Sequence, residues 1–228
     1  MTNPINPLSR RNLLRGAAVL SGAKVISACG GGDNTPAGPN PDILQLNALL
    51  VAEYGAVATY DAGIRILNAP SSGDPLAMYS LALSAIATQW QSQHSAHATA
   101  LVAAIRAIGG TPANQASTPP FTAPPNFTNT VTNVLKLAAN AEKGAAITYN
   151  NTVATLTSQT NRLLAANIEG DESQHFIVLY ALLNGLATPG AALAAMGTAN
   201  VVPRAFVAAT GGGDMTTSLE GVADFTYT

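Results

Sequence analysis

Two stretches decide the fold: Glu53-Tyr54-Gly55-Ala56-Val57-Ala58-Thr59-Tyr60 and Glu142-Lys143-Gly144-Ala145-Ala146-Ile147-Thr148-Tyr149. Five of the eight positions are identical, including both Glu and both Tyr. A second pair follows each of them in order: Gln91-Ser92-Gln93-His94 and Glu172-Ser173-Gln174-His175, identical at three of four positions. The chain thus reads as one helical hairpin written twice.

The flanking residues supply starts and stops for four helices. Asp42 can cap a first helix running to Leu67, stopped by the Asn68–Asp74 turn with its Pro70 and Gly73. Asp74-Pro75 has the form of a cap followed by Pro at the first helical position, so a second helix is expected to run from there to Ile108 and end at Gly109-Gly110. Residues Thr111 to Asn126 hold five prolines and no apolar period, an irregular crossover. The third helix is expected from Thr128 to Leu156, and the fourth from the Thr157-Ser158 turn to Asn184, with Gly185 as its C-terminal cap. Short, long, short connections make an all-α antiparallel four-helix bundle: two hairpins joined by one crossover. Beyond Thr188 only Ala191 to Met196 suggests a short helix, and the rest is a Gly-rich, irregular C-terminal tail.

Positions i and i+3 share a helix face, so Glu172 and His175 aim a carboxylate and an imidazole at one point. A Glu from each of two helices, joined by such a pair from each of the other two, is a ligand set for two iron or manganese ions. The heights agree. Glu53 lies about 15 residues before its helix ends and Gln91 about 17 after the next begins, with about 15 and 13 for Glu142 and Glu172. At about 1.5 Å per residue the mismatch within each hairpin is ~3 Å. Composition singles out the same residues: of five Glu, three are Glu53, Glu142 and Glu172, and of three His, two are His94 and His175. These five are the candidate metal ligands, with Gln91 as a weak sixth. His97, i+3 from His94, could ligate or orient but is first expected as a partly exposed neighbour; Glu169 is expected as a rim charge, with an extra ligand as its alternative, Asp171 as solvated and Trp90 as packing.

With these motifs the chain resembles the ferritin-like superfamily, specifically exported, desiccation-related ferritin-like domain proteins. The likeness runs from about Asp42 to Phe206 and includes Gly109-Gly110-Thr111-Pro112 and Val202-Pro203-Arg204-Ala205-Phe206. It implies Glu53 and Glu142 as terminal ligands, Glu172 as a bridge, His94 on the ion of Glu53, and His175 on the ion of Glu142. Tyr60 and Tyr149 would then be hydrogen-bond partners behind the ligands. The family pattern has a bridging carboxylate where Gln91 stands. Two divalent ions would meet only three carboxylates, so the resemblance implies a well-held ion at Glu142, Glu172 and His175 and a weak one at Glu53 and His94.

The first 40 residues read as an export segment. Ser9-Arg10-Arg11-Asn12-Leu13-Leu14 is a twin-arginine sequence, followed by an apolar run from Gly16 to Ala28. The run ends Ile26-Ser27-Ala28-Cys29-Gly30, an aliphatic residue and two small ones before the sole cysteine, the layout of a bacterial lipobox. The expected organisation is a signal over 1–29, a flexible tether over 30–41, the bundle over 42–187 and an extension over 188–228. Lipidation at Cys29 would anchor the chain on the periplasmic side of the envelope, at the outer membrane. Six basic residues would then face twelve acids, near −6 overall, against a formal −2 for the whole chain. Neither value supplies a basic field for nucleic acid. One cysteine excludes an internal disulfide and any multi-cysteine metal site.

Three functions compete: a cell-envelope iron or manganese protein that oxidises its metal or reduces oxygen or peroxide; a non-catalytic structural or stress-protective module with a degenerate site; and a storage cage, which a lipid anchor and long tail disfavour. The sequence names no catalytic residue and no partner protein, and leaves a homodimer open.

Overall fold

The computed structural model describes residues 40–71, 73–186 and 219–227. The export segment, Cys29, nearly all of the tether, the helix expected over Ala191 to Met196 and the Val202–Phe206 motif lie outside the described residues.

The described residues form four long helices: α1 (Pro41–Leu67), α2 (Ser80–Ala107), α3 (Val131–Thr155) and α4 (Gln159–Ala181). Helix α1 packs along α2, and α3 along α4. Cross-helix contacts run in opposite chain directions. Ser84 binds Asn68, Gln91 binds Val57 and Thr111 binds Asn47, so α1 and α2 are antiparallel. The expected pair of hairpins and long crossover is the observed architecture. Among the described residues there is no strand, and no helix is long and apolar enough to cross a membrane.

Three boundaries differ from the expected ones. Asn40, not Asp42, caps α1, its Oδ1 accepting from the Asp42 N–H at 2.9 Å. Asp42 instead reaches across to the start of α4. It accepts from Thr157 N and Oγ1, Ser158 N and Asn161 Nδ2 at 2.8–3.0 Å. Although burial works to raise its pKa, these donors hold the carboxyl down at about 2. The second helix proper begins at Ser80, after a single 3₁₀ turn over Ala77–Tyr79. Asp74 does accept from Leu76 N at 2.8 Å, but its other oxygen takes Thr132 N at 3.0 Å. Both aspartates, placed at helix starts by the sequence, thus bind the two hairpins together. The third helix begins at Val131, its N-terminus capped by Thr130.

The first three stops fall within a residue of those expected, while α4 ends at Ala181, three residues before the expected Asn184. Gly109 takes a positive φ of 78° after α2, and Gly185 one of 113° within the wide turn Leu182–Leu186 that follows α4.

The core divides into two apolar halves. One gathers Leu67, Leu83, Val131, Leu135, Phe176 and Leu179; the other gathers Leu46, Leu50, Leu101, Ile105, Ala165 and Ile168. The buried polar residues Glu53, His94, His97, Glu142, Glu172 and His175 occupy the helix positions between them. The described end of the chain is ordered against α3. Lys136, Asn140 and Lys143, one helix face, bind the carbonyls of Thr226, Phe225 and Val222. Leu219 is buried in the first apolar half, with Val222 and Phe225 packed on it.

Candidate metal centre

Each helix brings its motif to the middle layer. Glu53 comes from α1, His94 and His97 from α2, Glu142 from α3, and Glu172 and His175 from α4; none is more than 7% exposed. Their ligand atoms form two overlapping groups, Glu53–His94–His97–Glu172 and His94–Glu142–Glu172–His175, each spanning at most 4.8 Å. Glu172 and His94 belong to both. Oε1 of Glu172 faces His97 Nδ1 at 3.2 Å, and its Oε2 faces His175 Nδ1 at 3.8 Å. His94 turns Nδ1 to Glu53 Oε2 at 2.8 Å and Nε2 to Glu142 Oε1 at 3.3 Å.

The structure therefore brings Glu53, His94, Glu142, Glu172 and His175 together, and it does not bring Gln91 to them. The Gln91 amide donates to the Val57 carbonyl at 3.1 Å, and its side chain borders a surface groove with Tyr54, Asp61 and the crossover prolines Pro119 and Pro120. His97 replaces it in the layer. Of the two roles open to His97, ligand or partly exposed neighbour, its place fits the first: it is 7% exposed and turns Nδ1 to Glu172 and Glu53.

Gln93 of α2 pairs with His175 of α4 at 2.8 Å, and His97 of α2 pairs with Asp171 of α4 at 3.2 Å. These reciprocal contacts match Gln93 with Asp171, His94 with Glu172, and His97 with His175. The spatial repeat is thus His94-x-x-His97 against Glu172-x-x-His175, three residues away from the register of the matching letters. The carboxylate missing from α2 is missing at His94.

Tyr60 and Tyr149 cross between the halves. The Tyr60 hydroxyl donates to Glu142, and that of Tyr149 to Glu53, so each tyrosine holds the other repeat's glutamate. Buried beside carboxylates, both phenols are pushed well above their usual pKa and stay protonated donors. Trp90 packs as expected, its ring tilted against that of His175 with centroids 4.7 Å apart. Asp171 stays partly solvated while binding His97, and Glu169 accepts from Ser173 at 2.8 Å.

The layer draws positive charge inward. Burial, reinforced by the neighbouring Glu142, pushes the Glu172 pKa up to about 11. Burial alone would lower that of His94, but Glu142 and Glu53 overcome it and push His94 up to about 10. Burial likewise opposes ionisation of Glu142, yet Glu172, His175 and His94 hold it well below the carboxylate range. The residues fit a cation by a further test. His97 Nδ1 and both Glu172 oxygens are buried with no hydrogen-bond partner among the described residues. Such orphaned groups cost about 1–3 kcal/mol each, and all three point into the shared layer.

A family model described as a ferritin-like domain matches residues 41–185, well over half of the chain. No curated protein matches the sequence.

Proposed function

Because the chain belongs to the ferritin-like domain family, we propose that its middle layer is an iron or manganese centre. The buried His97 Nδ1 and Glu172 carboxylate, which make no hydrogen bond, carry this reading, since an apolar bundle retains such polar groups at a cost that a bound cation removes. Glu53 and Glu142 would each serve one ion, with His97 and His175 as their imidazole ligands. Glu172 lies between the two positions, and His94 offers one nitrogen to each. Oxygen and imidazole donors without thiolate suit iron and manganese. Such an ion would supply one-electron redox chemistry toward oxygen or peroxide. The chain's own part is to keep the ligands dry between two apolar halves and to hold Glu142 and Glu53 by the hydroxyls of Tyr60 and Tyr149.

The twin-arginine sequence and the lipobox ending at Cys29 support an envelope location with a lipid anchor, and the Gly109–Pro112 and Val202–Phe206 motifs support kinship with exported, desiccation-related proteins. Cys29→Ser should release the protein from membranes into the soluble fraction with its fold intact. Mature protein that is already soluble and starts elsewhere would refute the anchor.

The deciding measurement is elemental analysis with electron paramagnetic resonance on the purified full-length protein after loading with Fe²⁺ or Mn²⁺. Bound ion at stoichiometric amounts supports the centre. No retention of either would favour a structural module instead.

A further inference from the structure

His97 and His175 occupy equivalent places, but what stands behind them differs in charge. The far nitrogen of His175, Nε2, meets the neutral amide oxygen of Gln93 at 2.8 Å. The far nitrogen of His97, Nε2, meets the carboxylate of Asp171 at 3.2 Å. A histidine that gives its outer N–H to a carboxylate is held in one tautomer and is a more basic ligand through its inner nitrogen.

The inner nitrogens differ too. His175 Nδ1 already hydrogen-bonds Glu142 Oε2 at 3.3 Å, a contact that a bound ion must break. His97 Nδ1, in a side chain 8% exposed, makes no hydrogen bond, nor does Glu172 Oε1; the two face each other in an ion-pair contact at 3.2 Å. An ion on that side displaces this ion-pair contact but no hydrogen bond.

Charge gives a third reason. With His94 where α2 would carry a carboxylate, two divalent ions face only Glu53, Glu142 and Glu172. Asp171 supplies the fourth negative charge from just outside the ligands, on the His97 side alone. Its side chain is 44% exposed, so this carboxylate avoids the cost of a buried charge.

Resting on the metal-centre reading above, we propose that the two halves are unequal: the Glu53–His97–Glu172 half takes the first and tighter ion, with Asp171 as its positioning residue. This reverses the order that the resemblance implied through Gln91.

Mn²⁺ alone is the probe, titrated into metal-stripped full-length protein while free Mn²⁺ is followed by electron paramagnetic resonance. Asp171→Asn should weaken the tightest-bound ion by about 10- to 100-fold, and Gln93→Ala should leave that ion unchanged. Gln93→Glu should tighten the weaker ion toward the first, a gain that loss of structure cannot produce. Unchanged thermal unfolding of the stripped variants shows that neither side chain acts through the fold. If Gln93→Ala weakens the tightest ion, if both variants weaken it equally, or if Asp171→Asn leaves it alone, the inequality is refuted while the centre stands. If the unaltered protein binds no Mn²⁺ and no Fe²⁺, the metal-centre reading itself fails.

Discussion

Replacing Glu172 by Met should make the metal-free protein more stable and the metal-loaded protein less so. Glu172 is fully buried, and neither of its oxygens has a hydrogen-bond partner among the described residues. Its pKa is pushed up to about 11 by burial and by Glu142, against about 4.3 when unfolded. A group with a raised folded pKa gives stability that is complete below its unfolded pKa and is lost as pH rises toward the folded value. Keeping the carboxyl protonated at pH 7 therefore costs roughly 4 kcal/mol, from somewhat under three pH units at about 1.4 kcal/mol each. Met is unbranched and near Glu in length, so it fills the space without the ionisation cost. Imperfect packing takes back part of the gain, leaving about 1–3 kcal/mol, or roughly 2–12 °C in Tm for a chain of this size. The advantage should shrink as pH falls toward 4. With Mn²⁺ at about 100 times its Kd, the unaltered protein gains about 2.7 kcal/mol and the variant gains nothing, so the order closes or inverts. Thermal unfolding by circular dichroism at pH 4 and 7, with chelator or with Mn²⁺, reads all of this. A variant that is less stable than the parent with chelator at pH 7, or that keeps the Mn²⁺-dependent rise, would refute the reasoning.

Gln91→Glu should leave metal content unchanged, because it adds a carboxylate to the surface groove beside Asp61; elemental analysis showing a rise would restore Gln91 to the site. His94→Glu, by contrast, places the carboxylate where Glu172 has its counterpart, and the weaker Mn²⁺ of a binding titration should tighten. Asp42→Asn should lose about 1–3 kcal/mol at pH 7, as charged hydrogen bonds to the α3–α4 turn become neutral ones. With a folded pKa lowered to about 2, the carboxylate's contribution is complete above about pH 4 and disappears as pH falls through 2, so urea unfolding of parent and variant should converge there. Asn140→Ala removes both hydrogen bonds to Phe225, accepted and donated at 2.8 Å, and should speed proteolysis at residues 219–227 while helix content by circular dichroism stays constant.

Much of this molecule is written locally. The four helices, the Gly109 and Gly185 stops and the proline-rich crossover follow from turn chemistry and apolar spacing, and those act over a few residues. The repeated Glu…Tyr stretches likewise identified the glutamates that α1 and α3 bring to the middle layer. Tertiary structure decided what depends on two helices at once. Asp42 and Asp74 are good caps by their letters, but a carboxylate also accepts from any donor brought near it, and the donors came from the other hairpin. The register of α2 against α4 is the sharper case. Gln91-Ser92-Gln93-His94 matches Glu172-Ser173-Gln174-His175 in letters, yet His94 lies opposite Glu172, and His97 takes the place of the second imidazole. A shift of three residues is nearly one helical turn. It keeps every side chain close to its face and moves it only ~4.5 Å along the axis. Helical periodicity cannot distinguish the two registers, and only the height at which α2 packs against α4 selects between them.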